Sequence, residues 1–156
     1  MVVTSSDHKI YCVEASTGRL RWSYTTAKPD VASPLIHGDT VFVGGSDGHF
    51  RALDLGTGKL LWDFDKIRGF MVSKPLWYGG KLYFGCWGNA FYCLEAGTGK
   101  PVWSWNAGYT NRMYSPAVCQ PVAVGGRIFI VAPDRAMTCL NAATGQEIWR
   151  KKWLGV

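Results

Sequence analysis

The chain has 156 residues, 47% of them hydrophobic, enough apolar material for one sizeable core and too much for a disordered polymer. No apolar run approaches the roughly 20 residues that cross a bilayer as a helix, and the opening MVVTSSDHKI has neither a charged n-region nor a long apolar h-region. The net charge is +6, but the basic residues are scattered, which describes a solvated surface and argues against a nucleic-acid partner.

Aromatic residues reach 14%, with eight Trp and 19 Gly, a composition suited to short strands joined by tight turns. In chain order, MVVTSS reads as a strand, Asp7-His8 as a hairpin, and CVEASTGRLRW as a strand, turn and strand ending at Trp22. The second unit is the fullest. SPLIH begins an inner strand, TVFVGG forms the next, Asp47-Gly48 turns the chain, and ALDLGTGKLLW carries the third and outer strands to Trp62. The third unit repeats this through Gly88-Asn89 and CLEAGTGKPVW to Trp103, and the fourth through Asp134-Arg135 and CLNAATGQEIW to Trp149.

Tryptophans spaced by 40, 41 and 46 residues, each closing four short strands, predict an all-β fold: a β-propeller segment of four-stranded antiparallel blades. The blades are expected at about 1–26, 27–66, 67–107 and 108–152 of a single segment, 1–156. No inner strand precedes MVVTSS, so three complete blades and one lacking its inner strand are expected, as part of a longer propeller.

Gly18, Gly58, Gly99 and Gly145 follow Thr at the third-to-fourth turn and are predicted to adopt positive φ. Glu14, Asp54, Glu95 and Asn141 share one position, where the common property is accepting a hydrogen bond from turn N–H groups. An acceptor position repeated in every unit does not read as catalytic. Cys12, Cys93 and Cys139 alternate with Ala52 at one position and read as small buried hydrophobes; Cys86 and Cys119 have no assigned role. The odd number of cysteines forms no evident disulfide framework, and no Cys/His spacing suggests a metal site. His8, His37 and His49 lack a Ser or Cys partner at recognisable spacing.

ALDLGTGKLLW resembles the tryptophan docking motif of the pyrroloquinoline-quinone-like (PQQ-like) repeat family, and Ser33-Pro34 and Ser115-Pro116 resemble its inner-strand openings. The resemblance implies that Trp22, Trp62, Trp103 and Trp149 pack between blades. Trp62 and Trp103, expected to have a blade on each side, are predicted to be the most sensitive to truncation. The family includes quinone-dependent dehydrogenases and cofactor-free propellers of the outer-membrane assembly lipoprotein type, and the chain more closely resembles the latter. The resemblance therefore implies a periplasmic or cell-envelope location and no cofactor. PQQ and Ca²⁺ enter only if the chain is part of a dehydrogenase, whose adjacent-cysteine disulfide and Glu/Asn/Asp constellation have no counterpart here.

Recognition is expected where the units differ. DKIRGFMVSKP brings Arg68 and Lys74, and NAGYTNRMYSP brings Arg112 and Tyr114; Trp87 and Arg135 sit in hairpins expected at the same end. Cations and aromatics on one face suit a protein or peptide partner, or a small anionic ligand. The function read from these features is a non-catalytic binding or protein-interaction scaffold. The alternatives are a dehydrogenase fragment and a sensor or accessory domain fused to an enzyme.

Overall fold

The computed structural model describes residues 1–108 and 115–152. They are all-β apart from a 3-10 turn at Pro116–Val118. The first sheet contains β1 (Val2–Ser5), β2 (Lys9–Val13) and β3 (Leu20–Thr25). The second contains β4 (Leu35–His37), β5 (Thr40–Gly44), β6 (Phe50–Asp54) and β7 (Leu60–Phe64). The third contains β8 (Leu76–Tyr78), β9 (Lys81–Gly85), β10 (Phe91–Glu95) and β11 (Pro101–Trp105). The fourth contains β12 (Val122–Val124), β13 (Arg127–Val131), β14 (Ala136–Asn141) and β15 (Glu147–Lys152). Every sheet runs in sequence order with antiparallel neighbours, and the three-stranded sheet is the one that begins with β1. No helix among the described residues is long and apolar enough to cross a membrane.

The repeated letters have separable tasks. The small residue faces the tryptophan across the ladder: Cys12 pairs with Trp22, Ala52 with Trp62, Cys93 with Trp103 and Cys139 with Trp149. Immediately after each small residue the register shifts, a bulge that turns the outer strand relative to its neighbour. The turn that follows is closed by the Gly N–H, which reaches the carbonyl of Glu14, Asp54, Glu95 or Asn141 at 2.8 to 2.9 Å. Gly58 takes φ +73, as a turn of this kind requires. Asp54 also accepts from the Thr57 N–H and hydroxyl, both at 2.7 Å, and these bonds hold its carboxyl below the usual carboxylate range.

The core lies between sheets. Phe50 of the second stacks on Phe84 of the third at 4.2 Å, and separate apolar clusters join the first sheet to the second and the third to the fourth. This follows from area: a lone four-stranded sheet buries neither face, so each blade is stable only against its neighbour.

The tryptophans engage the sheet that follows. The Trp22 indole N–H donates to the Leu55 carbonyl at 2.9 Å, Trp62 to Ala96 at 3.0 Å and Trp103 to Ala142 at 3.0 Å. The same rings lie flat on the turn glycines; a Cβ at Gly58, Gly99 or Gly145 would sit 2.6, 2.4 or 2.5 Å from ring carbons. Nothing lies within 4 Å of the corresponding point at Gly18. Because contact runs in one direction, Trp22 is seated like Trp62 and Trp103 and is 8% exposed. Trp62 and Trp103 do lie in sheets with a neighbour on each side, but their indole N–H bonds and glycine contacts go to the following sheet, as those of Trp22 do. Trp149 is half-buried against Phe129, with ring centroids 6.0 Å apart.

Candidate functional site

The antiparallel order puts the second-to-third hairpins and the connections between sheets at one end of the blades, and the Thr-Gly turns at the other. The connection after β7 is held between two hairpins. The Ile67 N–H donates to Gly48 of the second sheet at 3.2 Å, and the Trp87 N–H donates to the Phe70 carbonyl at 2.9 Å. Phe70 stacks on Trp87 at 5.5 Å, and the Cys86 thiol donates to the Arg68 carbonyl at 3.1 Å. Gly88 is required here because a Cβ would meet the Arg68 carbonyl oxygen at 1.8 Å.

The structure therefore brings Arg68 and Trp87 together. Lys74 is exposed on the same connection, and Arg135 is exposed in the fourth sheet's hairpin at φ +63. Arg112 and Tyr114 lie outside the described residues. Among the described residues, no group of three or more His, Cys, Asp or Glu side chains could hold a metal ion, and all five cysteines are free and buried. Burial pushes the Cys93 and Cys119 thiols up to about 12, the behaviour of packing residues, not nucleophiles.

Charges that the sequence reading missed sit between the sheets. Between the first and second, Arg51 donates to both oxygens of Asp47, at 3.1 and 2.7 Å, and lies 5.9 Å above the Tyr24 ring. Burial raises the Asp47 pKa, but the Arg51 hydrogen bonds and charge outweigh it and hold the carboxyl below its usual range. His49 and Asp63 meet beside this pair at 2.8 Å. Between the third and fourth sheets, Arg150 pairs with buried Asp134, donates to the Ala107 carbonyl at 3.2 Å and lies 5.9 Å above Trp105. Asp134 is thus an anchor for Arg150, while its neighbour Arg135 faces solvent.

The interface between the second and third sheets has neither pair. The hairpins closed by Gly44–Phe50, Gly85–Phe91 and Val131–Met137 register Gly88 with Asp47 and Asp134, Ala90 with His49, and Tyr92 with Arg51. Ser104, opposite Tyr92, occupies the place of Asp63 and Arg150. These four smaller or neutral residues line a cavity of about 800 Å³, bounded by Phe64 on the second sheet and by β11 on the third. Lys66 and Arg68 stand at its edge, exposed, and neither forms a salt bridge among the described residues. Tyr92 closes the inner end, donating to the Lys66 carbonyl at 3.3 Å with its ring 5.8 Å from Phe64.

A family model described as outer membrane protein assembly factor BamB matches residues 1–104 and 68–155, and together these ranges take in nearly the whole chain. The chain belongs to this PQQ-like repeat family. Solved structures with the same fold include BamB from Moraxella catarrhalis, with a TM-score of 0.80 at 19% identity, covering 97% of this chain and 46% of that one. A europium-containing methanol dehydrogenase aligns with a TM-score of 0.82 at 16% identity, over 99% of this chain and 40% of its own. Among curated proteins, a quinoprotein ethanol dehydrogenase of Pseudomonas aeruginosa is 35% identical over 69 residues, which are 38% of this chain and 11% of that protein. A polyvinylalcohol dehydrogenase of Sphingopyxis sp. is 34% identical over 71 residues, again 11% of its length. The chain therefore spans a small part of its curated relatives, and its fold is found both in an outer membrane protein assembly factor and in dehydrogenases.

Proposed function

We propose that this chain is a non-catalytic PQQ-like propeller segment that binds a protein or peptide partner in the cell envelope. The observation that carries the reading is the Phe70–Trp87 stack at the hairpin end, on the same connection as exposed Lys66 and Arg68, which form no salt bridge among the described residues. Cations orient an acidic partner and aromatic rings supply contact area. The acids of the described residues are largely committed elsewhere: Asp54 to its turn, Asp47 to Arg51 and Asp134 to Arg150. The family description, an outer membrane assembly factor, supports the envelope location.

The second reading is a segment of a quinoprotein dehydrogenase, favoured by the local identity to the ethanol dehydrogenase. Calcium takes about 6–8 oxygen ligands, and Asp47, Asp54 and Asp134 are already engaged by Arg51, Thr57 and Arg150, which counts against a Ca²⁺ site built from these carboxylates. Titrating the protein with pyrroloquinoline quinone and Ca²⁺ separates the readings. We expect no saturable binding and no dye-linked oxidation of ethanol; stoichiometric quinone binding would overturn the scaffold.

A further inference from the structure

We propose that the cavity between the second and third sheets is a groove for an extended acidic segment of a partner protein. The inference rests on the scaffold reading and names the place and chemistry of its contact.

Three interfaces of one fold can be compared within this chain. Two are closed by a guanidinium–carboxylate pair lying over an aromatic ring of the preceding sheet. The third keeps the ring, Phe64, and replaces the pair by Gly88, Tyr92 and Ser104. The fold therefore does not require the opening, since the same backbone closes it twice with larger charged side chains. The opening is also not charge-neutral. Lys66 and Arg68 supply two cations where the neighbouring interfaces supply a cation with its own acid, so the missing partner is an anion.

The shape selects an extended chain. The whole run from Pro101 to Asn106 lines the cavity, so it is elongated along β11. β11 ends its sheet order and, among the described residues, pairs with β10 alone, which leaves its other edge of backbone N–H and C=O groups without a strand partner. A peptide laid along that edge would gain main-chain hydrogen bonds, and alternate side chains would enter the groove. An acidic side chain at the Lys66 end would meet both cations. A net charge of +6 adds long-range attraction for such a segment.

The test is fluorescence anisotropy of a labelled short peptide alternating glutamate and valine, titrated with the purified protein. Saturable binding that weakens with salt is expected. Lys66→Glu and Ser104→Asp, both at exposed positions, should each weaken it at least about tenfold while leaving the circular dichroism unchanged. Arg127→Glu makes the same charge change as Lys66→Glu at an exposed position that begins β13, away from the groove lining, and should leave affinity within about twofold. The proposal is overturned by a lack of saturable binding, by an equal effect of Arg127→Glu and Lys66→Glu, or by competition from free glutarate as effective as unlabelled peptide. The quinone titration reads none of these outcomes, so the scaffold reading and the groove fail separately.

Discussion

Replacing Trp22 by Ala tests the one-directional seating of the indoles. Trp22 is almost fully buried on Gly58 and donates to the Leu55 carbonyl, so truncation removes a large core side chain and a hydrogen bond together. Large-to-small core changes of this kind cost about 3 to 5 kcal/mol, and the bond accounts for about 1 of it. Trp149 is half-buried with no described sheet beyond it, and its truncation should cost less than about 2 kcal/mol. Equilibrium urea unfolding followed by circular dichroism measures both, with Trp22→Phe, which keeps an aromatic ring but loses the indole N–H and part of the buried area, expected to fall between wild type and Trp22→Ala. A loss at Trp149 equal to that at Trp22 would refute the argument, because it would mean that cross-strand packing within a sheet, and not contact with the next one, holds the tryptophans.

Asp30 is 1% exposed and accepts from the Ala32 N–H at 3.1 Å, while its Oδ2 is buried without a hydrogen-bond partner. Burial, with the nearby Asp47 charge adding to it and Arg51 opposing it, pushes its pKa up from 3.8 to about 6. The folded state thus holds this proton more tightly than the unfolded chain, and the contribution present below pH 3.8 is lost as pH rises toward about 6, by about 3 kcal/mol. Asp30→Asn should show a stability gain over the wild type that grows across that window and is flat above it, measured by unfolding at several pH values; a gain independent of pH would refute the assignment. Arg135 holds φ +63 at the hairpin position that Gly48 fills with φ +86. Arg135→Gly should leave stability unchanged or raise it by up to about 1 kcal/mol, whereas Gly48→Ala should lower it by about 1 kcal/mol or more, both read as shifts in melting temperature.

The repeat was legible because each of its parts is needed in every unit. The small residue opposite the tryptophan, the acceptor at the turn and the glycine after threonine recur at fixed offsets, so four copies identify the hairpins and the fold. The direction of the indoles was not legible, since a ring that projects from a sheet has the same sequence whichever neighbour it meets. The charge pairs were hidden for another reason. Arg51 comes from the third strand of its sheet and Arg150 from the outer strand, so the same guanidinium position is reached from different offsets and leaves no common spacing. Arg68 and Trp87 were visible as departures from the repeat. Lys66 lay in the same departing stretch without being singled out, and Gly88, Ala90 and Ser104 gave no signal of a site, because a cavity made by small residues has no letter of its own.

The fold does not hold every position of the repeat equally. The end turns and indoles are constrained by two sheets at once, and a change there is paid in stability. Side chains in the outer wedge between blades are constrained less: the second and fourth sheets fill it with unlike sets, Asp47, His49, Arg51 and Asp63 in one, Asp134 and Arg150 in the other. Neither set is repeated, yet both interfaces close. The third sheet can therefore present Gly88, Ala90, Tyr92 and Ser104 without disturbing the Phe50–Phe84 stack or the Trp62 seat on Gly99, which hold the same two sheets together. Filling the wedge should consequently change binding with little change in stability, and Ser104→Asp separates these two quantities in one variant.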